Sequence, residues 1–349
     1  MPYSNFASLH PDTQERILNG PSLRPPEGVK SNFEHPQNSD EVAIVSVVLC
    51  SVLAHIFILS CVYRKWYLLK LFRAGDFVFA LVYVFFIAYL VVWVLALSKV
   101  YTPGVFVHLW DIRFRQLHSV LRLVFVMKNL HIVIIGLLQT AMLSEWMRIF
   151  CPTPAHRNAS YWTCGTSLAF TLIWWLMYLC ILNSQCNPYG RIWDKTLSGK
   201  CTETVVYDAF SALINLMLDL IIASLFLGRI GQMRLLRQVG RSTLELTLTL
   251  GIVVCGLAIG RLMYTLQSFG TQDSGYEGSA VALWALGEMS CGFIAFGAPW
   301  VRDGFHDLYQ RLFYQPRDQG PIELQSVQPG GDQNPHHLHA GILERYLME

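Results

Sequence analysis

The sequence predicts an all-α polytopic membrane protein: a seven-transmembrane-helix bundle with a short interfacial helix and disordered tails. Composition is the first observation behind this. Of 349 residues, 53% are hydrophobic and only 14% charged, with a mean hydropathy of +0.38, whereas an average soluble domain carries about 25% charged residues. The second is length. Seven apolar stretches reach the roughly 20 residues that a helix needs to cross a bilayer, near 43–63, 77–98, 119–146, 162–183, 205–228, 242–266 and 279–301. The third is that acids, bases and amides inside several of these stretches recur at helical spacing, as in a bundle that turns its polar groups inward.

Residues 1–40 lack the basic start, apolar core and small-residue cleavage site of a secretory signal, so targeting falls to the first span. They are read as a disordered extracellular segment preceding a membrane domain at 41–302. The short loops then set the orientation, because basic residues favour the cytosolic side. Arg64, Lys65, Lys70, Arg73, Arg148, Arg157, Arg229, Arg234, Arg237 and Arg241 lie on one side, ten in all. Lys99, Arg113, Arg115, Arg191, Lys195 and Lys200 lie on the other, six in all. The amino terminus is therefore expected outside and the carboxyl terminus in the cytosol. The sequon Asn158-Ala159-Ser160 falls on the cytosolic side, so no glycosylation is expected. After the seventh span, residues 303–315 read as an interfacial amphipathic helix, because Phe305, Leu308, Leu312 and Phe313 fall at helical spacing. The tail at 316–349, rich in Pro, Gly, Gln and Asp, reads as a disordered cytosolic segment. A net charge of +2 without a basic patch gives no nucleic-acid partner.

Of nine cysteines, only Cys186 and Cys201 share a polar loop, CNPYGRIWDKTLSGKC, and that loop lies on the oxidising side. A disulfide between them would close a ring of 16 residues, worth about 3 kcal/mol in the chain-entropy model. Two free thiols are the alternative. In the fifth span Asp208, Ser211, Asn215 and Asp219 recur at offsets of three, four and four, which keeps them on one face. The third span adds Lys128, Asn129 and His131, the sixth Arg261 and the seventh Glu288.

Two readings of these groups stand. In one, Lys128, Asp208, Asn215, Asp219, Arg261 and Glu288 line a water-accessible pocket that grips the polar group of a lipophilic ligand. In the other, the charges neutralise one another and fix helix register. Gly256 and Gly260 form a GxxxG in the sixth span, a pattern for close helix packing. His336, His337 and His339 cluster in the tail without acidic partners, so no metal site is expected. Walker, HExxH and GxSxG motifs are absent.

With these residues in hand, the chain resembles the fungal rhodopsin-like integral membrane family over roughly residues 40–303. The resemblance rests on Cys186, Pro188, Trp193, Gly199 and Cys201 in the loop, and on Asn215 and Asp219 in the fifth span. Gly251 and Arg261 in the sixth and Trp284, Glu288 and Pro299 in the seventh complete it. Departures are visible. Asp76 alone stands where the family has paired acids, Phe106 interrupts a Gly-x-Gly-x-His ending at His108, and Gln139-Thr140-Ala141 replaces a Lys-x-Ser. The resemblance implies a receptor-like protein or one tied to secondary-metabolite pathways. Retinal is not expected, because light-sensing rhodopsins hold it on a lysine of the seventh helix and SAVALWALGEMSCGFIAFGAPWV has none.

The expected function is therefore binding of a lipophilic small molecule within the bilayer, with the basic inner loops meeting a cytosolic signalling partner. A membrane-embedded isomerase or cyclase is the alternative, started by a protonated acid such as Glu288 or Asp219. The plasma membrane is the expected location, with an endomembrane as the alternative.

Overall fold

A computed structural model describes residues 6–68, 74–150, 159–232, 241–269, 271 and 273–313. Its helices are α1 (Pro11–Asn19), α2 (Asp40–Val62), α3 (Ala74–Leu97), α4 (Phe114–Phe150), α5 (Ala159–Asn183), α6 (Val205–Gln232), α7 (Arg241–Gln267) and α8 (Ser274–Phe313). A two-stranded hairpin, β1 (Cys186–Asn187) and β2 (Lys200–Cys201), lies between α5 and α6. Helices α2 to α8 are the seven long and apolar enough to span a bilayer, and each satisfies its backbone internally, as hydrocarbon requires.

The spans form a ring in chain order, with α8 also packed on α2 and α4. That places α8 at the centre of the contacts: 67% of its spanning residues are buried, against 17–33% in the other six. Its small residues permit this. Gly260 of α7 lies so close to Trp284 of α8 that a Cβ would stand 2.7 Å from the indole ring, whereas a Cβ on Gly256 would meet nothing within 4 Å. Only half of the GxxxG pattern is thus a packing site. The main core joins α2, α3, α4 and α8 through Phe86, Tyr89, Trp93, Ile134, Met289 and Phe293. Apolar residues such as Val45, Val84, Ile173 and Ile252 face outward, where lipid is the natural neighbour.

Residues 6–39 are not disordered, contrary to the expectation from composition. Ser22 Oγ donates to Ile112 O at 2.8 Å and Phe114 N donates to Gly20 O at 2.9 Å. Asn32 N donates to Asp111 Oδ1 at 2.8 Å. Ile17, Leu18 and Leu23 pack against Val107, Leu109, Ile112, Phe114 and Leu117. The segment has too few apolar residues for a core of its own, and it borrows one from the approach to α4. On the same face, Asp40 Oδ1 accepts from Val105 N at 2.9 Å, and Lys99 Nζ lies 2.9 Å from Asp40 Oδ2.

The Cys186–Cys201 disulfide is present and joins directly opposed residues of β1 and β2. Gly199 permits that pairing: a Cβ there would sit 2.3 Å from Asn187 O. Inside the loop, Lys195 Nζ donates to Arg191 O at 3.1 Å. Burial, and then the neighbouring Arg191 charge, push the Lys195 pKa down.

At the opposite end, Lys65 sits in a π-helical turn, Tyr63–Leu68, that continues α2. It is buried, with its Nζ 2.7 Å from Asp76 Oδ1, 3.2 Å from Glu145 Oε1 and 5.2 Å from the centroid of Phe296. Burial alone would lower its pKa, but Glu145 and Asp76 together hold it above the ordinary value. Lys65 is therefore an internal clamp and not the free loop cation that the charge count assumes.

Helix α8 continues without a break through Phe313, so the stretch expected as a separate interfacial helix from residue 303 prolongs the seventh span. At about 1.5 Å per residue, its 40 residues extend roughly 60 Å, well past a hydrocarbon core of about 30 Å. Asn158 of the sequon and the histidines at 336, 337 and 339 lie outside the described residues.

Candidate functional site

Five of the six sequence candidates separate into three sets, and the sixth, Asn215, lines a crevice apart from the ion pairs. In the first, Arg261 Nε of α7 lies 2.7 Å from Glu288 Oε2 of α8, and Arg261 Nη2 donates to Glu288 Oε1 at 3.4 Å. His131 Nε2 of α4 approaches the same Oε2 at 3.8 Å. With side chains 6% and 2% exposed, the arginine and glutamate neutralise each other out of reach of solvent. A lone buried charge would cost several kcal/mol, so proximity to its counter-ion is a condition of its being there at all.

The second set decides between two cations that the sequence leaves open as partners of Glu288, Lys128 and Arg261. Lys128 does not reach Glu288; its Nζ lies 2.6 Å from Asp208 Oδ2, and the Tyr178 hydroxyl donates to Asp208 Oδ1. Lys128 and His131 stand almost one helical turn apart on α4, and it is His131 that points at Glu288. In the third set, Gln139 Nε2 of α4 donates to Asp219 Oδ1 of α6 at 3.2 Å, while Asp219 Oδ2 is buried without a hydrogen-bond partner among the described residues.

The face of α6 that carries Asp208, Ser211, Asn215 and Asp219 is turned to α4 and α5, as their spacing requires. Between these three helices lies a crevice. Its floor is Ile132, Ile135, Gly136 and Gln139 of α4, and its walls are Thr171, Trp174, Trp175 and Tyr178 of α5 with Ser211, Asn215 and Leu218 of α6. Its volume is about 10 Å³, at the lower limit for a single water molecule. A ligand would have to part α5 from α6, and these neighbours touch only sparsely.

The crevice is rich in polar groups that the fold leaves unused. The indole Nε1 atoms of Trp174 and Trp175 are both buried without a hydrogen-bond partner among the described residues, and the Trp175 ring edge rests on Gly136. Ser211 and Asn215 are buried, and among the described residues no hydrogen bond reaches the Asn215 amide. A buried donor left unmade costs about 1–3 kcal/mol, so this concentration of idle donors needs a reason.

The profile of the fungal rhodopsin domain matches residues 42–307. The chain belongs to the fungal rhodopsin domain family. Among curated proteins it is 29% identical over 289 residues to "Fugralins biosynthesis cluster protein 2" of Gibberella zeae, covering 81% of this chain and 70% of that one. It is also 28% identical over 156 residues to a "SAT4 family membrane protein" of Emericella nidulans, covering 44% of this chain and 38% of that one. No solved structure matches.

Within this fungal rhodopsin domain, several of the motif residues have structural roles. Trp284 covers Gly260, and Arg261 pairs with Glu288. His108, at the end of the interrupted glycine motif, stacks between Trp110 and Tyr276. Its Nδ1 lies 2.5 Å from Asp273 Oδ2, while Asp273 Oδ1 accepts from Leu109 N at 2.9 Å. Gln139 holds Asp219. Charge alone did not point to Trp174, Trp175, Tyr178 or Gln139. One signal was available: a tandem tryptophan in the middle of the fourth span, away from the span ends where such rings concentrate.

Proposed function

We propose that this multi-pass membrane protein is a non-enzymatic binder of a lipophilic small molecule, acting as a receptor-like or accessory component of fungal secondary metabolism. The observation that carries it is the α4–α5–α6 crevice, where two buried indole donors and the Asn215 amide have no partner among the described residues. The name of the Gibberella zeae relative, a biosynthesis cluster protein, supports the link to such pathways. We take the disulfide hairpin to lie outside, the Arg229 to Arg241 run to meet a cytosolic signalling partner, and the membrane to be the plasma membrane. Retinal has no part in this reading, because α8 carries no lysine for a Schiff base. Deleting the gene in the fungus that encodes it, with metabolites and transcripts profiled together, tests the proposal. Loss of transcription or of secretion of a whole pathway is expected. Accumulation of a single unprocessed intermediate would overturn it.

That second outcome belongs to the enzymatic reading, which one observation favours. Asp219 Oδ2 is buried without a partner while its Oδ1 is held by Gln139, the arrangement of an acid kept available. Asp219→Asn preserves the shape and removes the acid. Under the binder reading, folded yield and the gene's phenotype both survive the change; under the enzyme reading, the product is lost.

A further inference from the structure

Resting on the binder reading above, the chemistry of the crevice narrows what it takes. Its unused groups are mainly donors: an indole N–H can only donate, and Trp174 and Trp175 each present one that is buried and unpartnered. Asn215 and Ser211 of α6 add an amide and a hydroxyl to the opposite wall. Each other polar side chain of the lining already donates a hydrogen bond: Thr171 Oγ1 to Ser167 O, Gln139 Nε2 to Asp219 and the Tyr178 hydroxyl to Asp208. Among the described residues neither of the membrane cations near it is free, because Lys128 is paired with Asp208 and Arg261 with Glu288. A carboxylate would enter without a counter-charge. An ammonium would meet donors of its own kind along the lining, of which Asp219, the acid held by Gln139, is not a part. What remains suited to this lining is an oxygen that accepts hydrogen bonds and carries no charge.

We propose that the crevice admits, from the bilayer between α5 and α6, the neutral carbonyl end of a lipophilic molecule such as a ketone, ester or lactone, and that Trp174, Trp175 and Asn215 recognise it. The apolar remainder stays against the outward faces of Phe170, Ile173 and Met177 on α5 and Phe210, Leu213 and Met217 on α6, all exposed. The sparse contact between α5 and α6 is what lets it in.

The test uses the full chain in lipid nanodiscs and a tritiated long-chain methyl ketone, with binding counted above empty nanodiscs. Unlabelled competitors of equal chain length are the ketone, the methyl ester, the carboxylate, the primary amine and the alkane. Saturable binding displaced by ketone and ester, and not by amine, carboxylate or alkane, is expected. Trp175→Phe keeps an aromatic ring, though a smaller one, and removes the donor, and Asn215→Ala removes the amide; each should weaken ketone binding roughly three- to tenfold. Trp174→Phe serves the same purpose if Trp175→Phe lowers folded yield. If carboxylate or amine competes as well as the ketone, the carbonyl class is wrong while the binder reading stands. If the variants bind the ketone as the parent does, the crevice is the wrong place. If no probe binds saturably, both the class and the binder reading fall.

Discussion

Glu288 shows what one residue can and cannot reveal. That an acid in the seventh span must find a cation or a proton follows from the sequence; which cation it finds does not. Sequence spacing gives depth along a helix but not the angle at which neighbouring helices present their faces, so Lys128 and Arg261 are equal candidates until the packing is known. Arg261 holds Glu288 at 2.7 Å. Glu288→Gln should therefore lower stability by about 3–5 kcal/mol, the usual cost of stranding one member of a buried pair. The double variant Glu288→Gln with Arg261→Gln should recover much of that loss. Thermal unfolding of the four proteins in nanodiscs gives the coupling directly. Equal stability of the single variant and the parent would show that the pair does not hold the bundle.

At the scale of elements, the spans were legible because hydropathy averages over a whole helix, and an apolar run of that length has few other uses. Their ends were less so. The third span was expected from residue 119, yet α4 begins at Phe114, because Arg115, Gln116 and His118 are polar and hydropathy cannot register a helix that continues beyond the lipid. Helix packing gives a sharper expectation. Gly260→Leu must displace the Trp284 ring, which a Cβ alone would meet at 2.7 Å, while Gly256→Leu has open space. The first should abolish a monodisperse peak in detergent chromatography and the second should leave it unchanged. The hairpin offers a covalent counterpart. Digestion without reduction should yield the Cys186 and Cys201 peptides joined, and replacing both by Ser should destabilise by about 3 kcal/mol, the loop-closure value for a 15-residue separation.

For the whole molecule, orientation rests on a charge count from which Lys65 must now be discounted. Nine basic residues against six still favour a cytosolic carboxyl terminus. Protease added to intact protoplasts should leave a carboxyl-terminal tag uncut, and its digestion would reverse the topology. The amino-terminal segment was hidden for a different reason: its binding surface belongs to residues 107–117, so its own composition says nothing of its order. Nor could the crevice be foreseen, because a group left unpaired is defined by what surrounds it.

The bonds from Asp273 to His108 and Leu109 have a consequence in time. Their partners are separated by 165 and 164 positions, so a chain leaving the ribosome at 5–20 residues per second waits roughly ten seconds or more before this latch can close. Until then the loop ahead of α4 lacks that latch. A nascent chain halted before Asp273 would leave His108 and Leu109 without these contacts.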